Sequence, residues 1–406
     1  MKSASQGMEK LKAYEEKFKD ELLASCVPFW LNHAVDARYG GILNCVDCKG
    51  EVYSTDKSVW MQGRCAWTFS YIYNHIEKKQ IYLDFAKSCL DFAKAHCIDP
   101  ADKRMYFTVT REGKPLRKRR YWFSETFYIL ANAEYYMATG DKARLEEAKA
   151  YFDFVYTMYL DPSTDPYKIT PKSYAETRSL KTLANPMIML NVVSVMRQAD
   201  GARLSLYDEI ADKLVGDIAC FHSDEYGATL ENITLSNELV LDSAPCRVVN
   251  PGHDIECSWF LLEEGLRRGN AKTVALAEKI FNEAFAFGWD TEYGGILYFK
   301  DLLGKPVEAY EHDMKLWWPH NETVIASLMF YLATKNEKYF EIFERVTAYA
   351  FEHFSDREYG EWLGYLRRDG KPTEPPCKGH TYKGPFHVMR MLAKCITLIE
   401  GAKENG

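Results

Sequence analysis

A repeated turn sequence constrains the fold of this 406-residue chain more than any other feature. Residues 36–43 read Asp-Ala-Arg-Tyr-Gly-Gly-Ile-Leu, residues 290–297 read Asp-Thr-Glu-Tyr-Gly-Gly-Ile-Leu, and residues 356–363 read Asp-Arg-Glu-Tyr-Gly-Glu-Trp-Leu. A shorter copy occurs at residues 224–230, and degraded copies occur near residues 103–107 and 165–167. The spacing of roughly 60–66 residues predicts about six structural units, as in architectures built by repetition.

Each unit shows the same order of patterns: a helix, the turn, a short alternating run and a more apolar helix. In the fifth unit, residues 272–288 place apolar side chains three and four positions apart, which predicts one buried face. Gly294 and Gly295 suit a tight turn with positive φ. Residues 317–332 are apolar nearly all round, which predicts an inner helix covered on every side.

These units predict an all-α fold, an (α/α)6 barrel or toroid with short β-hairpin-like connectors at one mouth. Outer helices are expected near residues 8–33, 78–97, 142–160, 204–222, 271–288 and 336–354, and inner helices near residues 58–76, 121–139, 178–198, 252–268, 316–333 and 384–401. We expect residues 1–406 to form a single catalytic domain. An open helical solenoid is the alternative, because it also stacks helix pairs.

The composition of the chain limits the classes of partner that the protein is expected to bind. The net charge of −7 argues against nucleic acid. The basic run at residues 117–120 is either a solvated loop or an anion contact. Neither a signal peptide nor an apolar stretch of the ~20 residues that a membrane span needs is visible, so we expect a cytoplasmic protein without a membrane partner. The scattered cysteines fit reduced, buried thiols, and Cys45 with Cys48 is only weak evidence for zinc.

Aromatic residues make up 14% of the chain, and many lie beside polar residues where connectors lead into inner helices. Some of them pack helix against helix. Flat rings beside hydrogen-bonding groups also suit a polyhydroxylated ring, whose faces are apolar and whose edges are polar. The aromatic residues at these junctions are Trp60, Trp67, Tyr121, Trp122, Phe123, Trp259, Trp317, Trp318, Trp362, Tyr382 and Phe386.

Four inner-helix starts carry candidate chemistry. Asn250-Pro-Gly-His-Asp-Ile-Glu256 places His253 and Glu256 three residues apart, and therefore on one helical face. The last inner helix repeats this arrangement with His387 and Arg390. The other two starts are Lys315-Leu-Trp-Trp-Pro-His-Asn-Glu322 and Trp60-Met-Gln-Gly-Arg64. Because all four occupy the same place in their units, a closed ring would direct them into one cavity.

The residue types at these positions suggest proton transfer. Histidine changes its charge near neutral pH, and a nearby carboxylate can orient the imidazole. Arg64 on an apolar helix needs an anionic partner or a substrate oxygen, because an unpaired buried charge is costly, and Glu322 follows the same logic. His320 fits a substrate contact and a wall position equally well. A metal site of two histidines and two glutamates is conceivable, but no His-x-x-x-His pattern occurs, so we expect no metal.

Taken together and in order from about residue 10 to about residue 400, these segments resemble the N-acylglucosamine 2-epimerase family, also described as renin-binding protein. Further matching segments are Ser124-Glu125, Asn185-Pro-Met187, Tyr359-Gly-Glu-Trp362 and Phe386-His387-Val388. The resemblance implies an (α/α)6 barrel, a homodimer, and interconversion of N-acetyl-D-glucosamine and N-acetyl-D-mannosamine. It implies catalytic roles for His253, His387, Arg64 and Glu322. The residues expected to bind the sugar substrate are Trp60, Gln62, Glu125, Asn191, Asn250, Glu256, Lys315, Trp317, His320 and Arg390.

The expected mechanism follows from the acidity of carbon 2 of the open-chain sugar, which lies next to an aldehyde. Removing this proton on one face and returning it on the other inverts the centre, and His253 and His387 are suited to the two steps. Arg64 would stabilise the enolate oxygen, and Glu322 would help ring opening or hold a hydroxyl. No metal or redox cofactor is required.

Members of the family are often activated by ATP or another nucleotide. The chain lacks a Gly-x-x-x-x-Gly-Lys-Ser/Thr loop, and the stretch that matches the relatives' Gly-Lys-rich segment has no glycine. Lys168 and Lys172 are the candidate phosphate contacts for an allosteric nucleotide.

Other activities fit the same barrel. A cellobiose 2-epimerase or a mannose-type aldose–ketose isomerase is the alternative, although the third inner helix lacks the extra histidine of the cellobiose enzymes. A glycoside hydrolase would need two carboxylates across the sugar, which Glu125, Glu256 and Glu322 could supply. A non-enzymatic role in renin binding fits the charged inner-helix residues less well.

Overall fold

The computed structural model of the protein describes residues 2–119, 121–167 and 175–404. Outer and inner helices alternate along this part of the chain. The outer layer consists of α1 (Lys2–Asp20) with its continuation α2 (Val27–His33), α4 (Gln80–His96), α6 (Lys142–Leu160), α9 (Leu204–Ala219), α11 (Ala271–Gly288) and α13 (Glu337–His353). The inner layer consists of α3 (Val59–His75), α5 (Phe123–Thr139), α8 (Ala184–Ala199), α10 (Pro251–Arg268), α12 (Trp317–Thr334) and α14 (His387–Glu404), while α7 (Ala175–Arg178) is a single turn.

The inner helices form a closed ring. Each packs on the next in chain order, and α14 packs on both α3 and α1, which joins the end of the chain to its beginning. This contact excludes the open solenoid and confirms the (α/α)6 barrel.

Burial follows the two hydrophobic patterns. Every residue of α12 from Trp317 to Tyr331 is buried, as expected for a helix enclosed on all sides. On the outer helix α11, burial is confined to one face, where Ile280, Phe281 and Phe285 lie. Asn270 begins α11 by accepting hydrogen bonds from the backbone N–H groups of Lys272 and Thr273.

Short strands in the connectors form a collar at one mouth of the barrel. The strands are β1 (Cys45–Val46), β2 (Val52–Ser54), β3 (Lys57–Ser58), β4 (Thr108–Val109), β5 (Pro115–Arg117), β6 (Leu180–Thr182), β7 (His222–Ser223), β8 (Ala228–Thr229), β9 (Asn232–Thr234), β10 (Val248–Val249), β11 (Lys300–Asp301), β12 (Lys315–Leu316) and β13 (Tyr365–Leu366). All pairs are antiparallel, and the pairs β3–β4, β6–β9, β10–β11 and β12–β13 join neighbouring units. The collar therefore links the repeats around the ring.

The repeated turn is held by a buried lysine. In the fifth unit, Lys315 Nζ donates to Asp290 Oδ2 at 2.8 Å and to the carbonyl oxygen of Gly294 at 2.6 Å. Lys57 with Asp36 (2.9 Å) and Lys378 with Asp356 (2.7 Å) repeat this contact. The turn brings backbone so close to its neighbours that a Cβ at Gly295 (φ +75°) would lie 2.6 Å from the Tyr349 ring.

The helix boundaries agree with the predictions except at two inner-helix starts and in the first outer helix. The third inner helix begins at Ala184 rather than near 178, because residues 180–182 form β6 and pair with β9. The sixth begins at His387, directly after Pro385 and Phe386. The first outer helix contains a π-helical segment, Glu21–Cys26, before Pro28, whose missing N–H interrupts the regular hydrogen-bond ladder.

The eleven cysteines are free thiols, and most are buried. Among the described residues, none of the helices combines the length and the apolar character that crossing a membrane requires.

Candidate active site

A charged network lies at the centre of the ring, where α10, α12 and α14 meet. His387 Nδ1 lies 2.8 Å from Glu322 Oε1, and Trp259 Nε1 donates to Glu322 Oε2 at 2.9 Å. Arg390 Nη2 donates to Glu256 Oε1 at 2.6 Å and lies 2.6 Å from Glu322 Oε1. One guanidinium thus neutralises two carboxylates that would otherwise repel each other.

The contact with Glu322 fixes the tautomer of His387. A carboxylate accepts hydrogen bonds, so the proton of the neutral ring is on Nδ1 and Nε2 keeps its lone pair. Arg390 Nη2 approaches the same Nδ1 only to 3.4 Å and cannot donate to a protonated nitrogen. Burial, and then the positive charges of Arg390 and Arg64, hold the pKa of His387 well below its usual value, which favours the neutral imidazole.

The second imidazole has a glutamate partner of its own. His253 Nδ1 lies 2.8 Å from Glu231 Oε2, and Thr182 Oγ1 donates to the other carboxylate oxygen at 3.2 Å. Although burial lowers the pKa of His253, the charge of Glu231 raises it above its usual value. The two histidines therefore differ in protonation tendency: His253 favours the charged form and His387 the neutral form.

Trp318 lies against both imidazoles. Its ring centroid is 5.2 Å from that of His253 and 5.9 Å from that of His387. The two rings thus share one region of the barrel although 134 residues separate them in sequence. His253 also lines a cavity of about 1050 Å³ at the connector mouth, together with Glu231, Asn250 and Trp60.

Arg64 is a half-buried cation, and among the described residues no carboxylate lies within hydrogen-bond distance of it. Its Nη1 donates to the carbonyl oxygen of Tyr382 at 3.2 Å, and its guanidinium lies over the rings of Phe127 (4.2 Å) and Phe386 (4.9 Å). Its Nε is buried without a hydrogen-bond partner. Burial lowers the pKa of Arg64. A positive charge in such surroundings is available to a substrate oxygen.

Asn250 and Trp60 line the cavity as expected. Asn250 Oδ1 accepts from the backbone N–H of His253 at 3.2 Å and so begins α10. Its Nδ2 and the indole Nε1 of Trp60 are buried without acceptors. A buried donor without an acceptor costs free energy, which a bound oxygen would recover.

Four of the predicted substrate contacts hold the repeated turns. Gln62 exchanges two hydrogen bonds with the backbone of Ile42, Glu125 accepts from Arg104 Nε and from the backbone of Met105, and His320 Nε2 accepts from Ile296 N at 2.9 Å. Lys315 is the buried lysine described above. The physical reason is common to all four: backbone groups of the turn need buried partners, and the inner-helix start supplies them. Burial lowers the pKa of His320 to about 3.

Of the predicted catalytic and sugar-binding residues, all of which the structure describes, only Trp60, Asn250 and His253 line the cavity. The two predicted contacts not yet described are Trp317 and Asn191. Trp317 is buried between Tyr365, His380 and His387, where it packs against the edge of each ring. Asn191 is half-buried on α8 and is not among the residues that line the cavity. Lys168 and Lys172, the candidate nucleotide contacts, lie outside the described residues.

Sequence reasoning missed Glu231. It follows β8 in the fourth connector, and its spacing to His253 carries no signature, since the connector folds back so that Glu231 N donates to the carbonyl oxygen of Val248 at 2.9 Å, shortly before α10. The one available signal was an acidic residue at the end of an alternating run.

The oxygens and nitrogen of Glu256, Glu322 and His387 lie within 4.8 Å of one another, a separation that a metal ion could bridge. The guanidinium of Arg390 already contacts both carboxylates. A second cation would have to displace it or accept its repulsion, so this donor set does not fit a resident metal.

The family model of the N-acylglucosamine 2-epimerases matches residues 40–389 of the chain. The N-acylglucosamine 2-epimerase of Bos taurus is 36% identical over 395 residues, which cover 96% of this chain and 92% of the relative. The chain belongs to the N-acylglucosamine 2-epimerase family. It is therefore a sugar epimerase, an isomerase that acts on carbohydrates.

Within the wider N-acylglucosamine 2-epimerase fold, the cellobiose enzymes are more distant. The cellobiose 2-epimerase of Dictyoglomus turgidum is 24% identical over 417 residues, which cover 96% of this chain and 100% of that protein. The structure of cellobiose 2-epimerase from Bacillus thermoamylovorans superposes with a TM-score of 0.81 at 22% identity, over 96% of this chain and 100% of that one. This likeness supports the barrel, while the higher identity favours the N-acyl branch.

Proposed function

We propose that this protein interconverts N-acetyl-D-glucosamine and N-acetyl-D-mannosamine by moving the proton on carbon 2 of the open-chain sugar between two histidines. The observation that carries the proposal is the pair of Glu–His contacts, Glu231 with His253 and Glu322 with His387, each through Nδ1 at 2.8 Å and both beside Trp318. In each pair, Nε2 remains for the substrate.

The opposite pKa directions suit a two-base epimerisation. His387, held neutral, removes the proton from one face of carbon 2, and His253, which favours the charged form, returns a proton to the other face. The reverse reaction exchanges the roles, because His253 is then left neutral and His387 charged. The C–H bond breaks and forms without any change in oxidation state overall, so the step itself needs no redox cofactor.

Negative charge develops on the carbonyl oxygen when carbon 2 loses its proton. Arg64 supports this step, since its guanidinium lies among aromatic rings and its Nε is buried without an acceptor. A positioned charge of this kind lowers the barrier because it needs no reorganisation during the reaction. Glu322 is already engaged by Trp259, His387 and Arg390, so its contribution is to orient His387 rather than to open the ring.

Reaction in heavy water tests the proposal. Incubation with N-acetyl-D-glucosamine should give N-acetyl-D-mannosamine, followed by its anomeric proton signal, with deuterium on carbon 2 of the product. Epimerisation at full rate with the original hydrogen retained on carbon 2 in both sugars would exclude exchange of the proton with solvent through separate acid and base groups.

The cavity volume of about 1050 Å³ also admits a disaccharide, which keeps cellobiose 2-epimerisation as a second candidate. Parallel assays with cellobiose and with N-acetyl-D-glucosamine decide between them. The arrangement of the candidate carboxylates disfavours glycoside hydrolysis, which needs two of them on opposite sides of the sugar. Glu256 and Glu322 both contact the same guanidinium, that of Arg390, and Glu125 is paired with Arg104.

The same proposal includes a homodimer, a cytoplasmic location and one catalytic unit over the whole chain. The free thiols and the ring closure through α1 and α14 support the last two. Sedimentation would measure the oligomeric state. A nucleotide such as ATP remains a candidate allosteric activator, which rate measurements with and without it would test.

A further inference from the structure

The rim of the cavity carries unpaired positive charge, against the acidic balance of the chain as a whole, whose net charge is −7. Arg117, Arg119 and Lys181 line it. Within the described residues, none of the three has an ion-pair partner. Lys118, beside them, is neutralised by Asp99 at 2.7 Å and Asp102 at 2.6 Å.

The acidic residues of the same lining only partly compensate these charges. Glu231 is engaged by His253, and Asp301 accepts from Arg247 Nε at 2.8 Å. Glu308 is exposed in the fifth connector, and this single carboxylate offsets one of the three positive charges. The rim therefore has a surplus of cations that face the cavity rather than a protein carboxylate.

Arg119 is held in place and has a donor to spare. Its Nη2 donates to Tyr382 Oη at 2.7 Å, and its guanidinium lies 4.3 Å from the centre of the Phe107 ring. Its Nε is buried without an acceptor. A desolvated donor without a partner costs free energy, which a bound oxygen would recover.

Tyr382 links this rim to the centre of the site. Its hydroxyl accepts from Arg119, and its carbonyl oxygen accepts from Arg64. Trp60, which lines the cavity, lies 5.9 Å from Tyr382 and beside Arg64. Tyr382 thus connects Arg119 at the rim with Arg64, the guanidinium proposed above to stabilise the enolate oxygen.

We propose that Arg117, Arg119 and Lys181 form a subsite for a phosphate group carried by the sugar, so that the substrate class includes N-acyl-D-glucosamine phosphates. The proposal rests on the sugar 2-epimerase function given above and deepens it. Guanidinium groups match phosphate oxygens in pairs, and a phosphate monoester carries roughly −1.5 to −2 charges at neutral pH, which offset most of the positive charge of the rim. The cavity of about 1050 Å³ is at the upper end of ligand-site volumes, about 300–1,000 Å³, and leaves room beyond one hexose ring.

The phosphate takes no part in bond making. Carbon 2 loses and regains its proton as in the unphosphorylated sugar, and the phosphate ester stays intact. Its contribution is binding energy and orientation at the end of the sugar remote from carbon 2.

Kinetics with two substrates test the subsite. We would measure kcat/KM for N-acetyl-D-glucosamine and for its 6-phosphate, in the wild type and in the double variant Arg119→Gln, Lys181→Gln. We expect the wild type to prefer the phosphate at least tenfold, and this preference ratio to fall at least tenfold in the double variant and with rising salt. Lys114→Gln is the matched control, because Lys114 is exposed on the same hairpin and does not line the cavity; it should keep the ratio.

The outcomes separate the two proposals. If the neutral sugar is epimerised and the phosphate gives no advantage, the subsite is refuted while the epimerase function stands. If inorganic phosphate or a nucleotide accelerates the neutral sugar through the same two side chains, the anion belongs to a separate effector and the substrate assignment fails. If neither sugar is epimerised, the proposed function fails and the subsite with it.

Discussion

Glu231 lies 2.8 Å from Nδ1 of His253, the same distance that separates Glu322 from Nδ1 of His387. The two pairs differ in their surroundings. In the part of the chain that the structure describes, no guanidinium is in hydrogen-bond contact with Glu231, whereas Glu322 shares its charge with Arg390. The same type of contact therefore raises one imidazole pKa, while the other is held low.

The first prediction concerns pH. Activity should require neutral His387 and charged His253, so the rate falls as pH drops through the lowered pKa of His387 and falls again as pH rises through the raised pKa of His253. Glu231→Gln removes the charge that raises the second pKa, so the basic limb should move to lower pH and kcat should fall about tenfold or more.

Glu238→Gln, an exposed change in the same connector, is the control and should keep the wild-type profile. A lower kcat in Glu231→Gln with an unmoved basic limb would mean that Glu231 acts only on the structure of the connector.

The second prediction separates the two histidines. His253→Gln and His387→Gln should each lower epimerisation by about 10²–10⁴-fold, the usual contribution of a general acid or base. Each variant should still exchange the carbon 2 proton of one epimer with heavy water. The epimer that exchanges should differ between the two variants, and proton NMR measures the exchange. Loss of exchange from both epimers in both variants would contradict the division of labour between the two faces.

The third prediction concerns Arg390. Its removal as Arg390→Met leaves Glu256 and Glu322 buried without their shared counter-charge, which should cost about 3–5 kcal/mol of unfolding free energy. Urea denaturation measures this loss. On the same helix, Lys394→Met breaks a half-exposed pair with Glu263 at 3.3 Å and should cost less than about 1 kcal/mol. Equal losses of unfolding free energy in the two variants would show that Arg390 stabilises the buried carboxylates no more than Lys394 stabilises its half-exposed partner.

The fourth prediction follows from the reassignment of Lys315 to the turn. Lys315→Met should destabilise the protein by about 3 kcal/mol or more, because a buried ion pair is broken, while KM for the sugar stays within about twofold. Lys305→Met, exposed on the adjoining connector, should change neither quantity. A large rise in KM without loss of stability would restore Lys315 to the substrate contacts.

The fifth prediction is acid sensitivity of the same turns. Although burial raises it, hydrogen bonds from Arg368 and Lys315 hold the pKa of Asp290 well below its usual value. A depressed folded-state pKa contributes stability above the unfolded value of about 3.9, and this contribution is lost as pH falls toward the folded one. Asp290→Asn should therefore flatten the dependence of unfolding free energy on pH below about pH 5. An unchanged slope would mean that the turn carboxylates do not control acid unfolding.

The sequence by itself determined the barrel and the proposed chemistry. The repeated turn and the contrast between half-apolar and wholly apolar helices predicted six units in two layers, since periodicity and burial are local properties of each segment. The equivalent positions of His253 and His387 at two inner-helix starts predicted that both would lie in one region, and the structure places both beside Trp318.

Only the tertiary structure decided which polar residues serve the substrate and which serve the fold. Gln62, Glu125 and His320 lie near the starts of inner helices, as the candidate catalytic residues do. They nevertheless accept hydrogen bonds from backbone N–H groups of the turns, because a buried N–H must be paired. Glu231 became the partner of His253 because the fourth connector folds back on the segment before α10, a contact that no spacing along the chain records. Distances across the ring, rather than residue types, separate these roles.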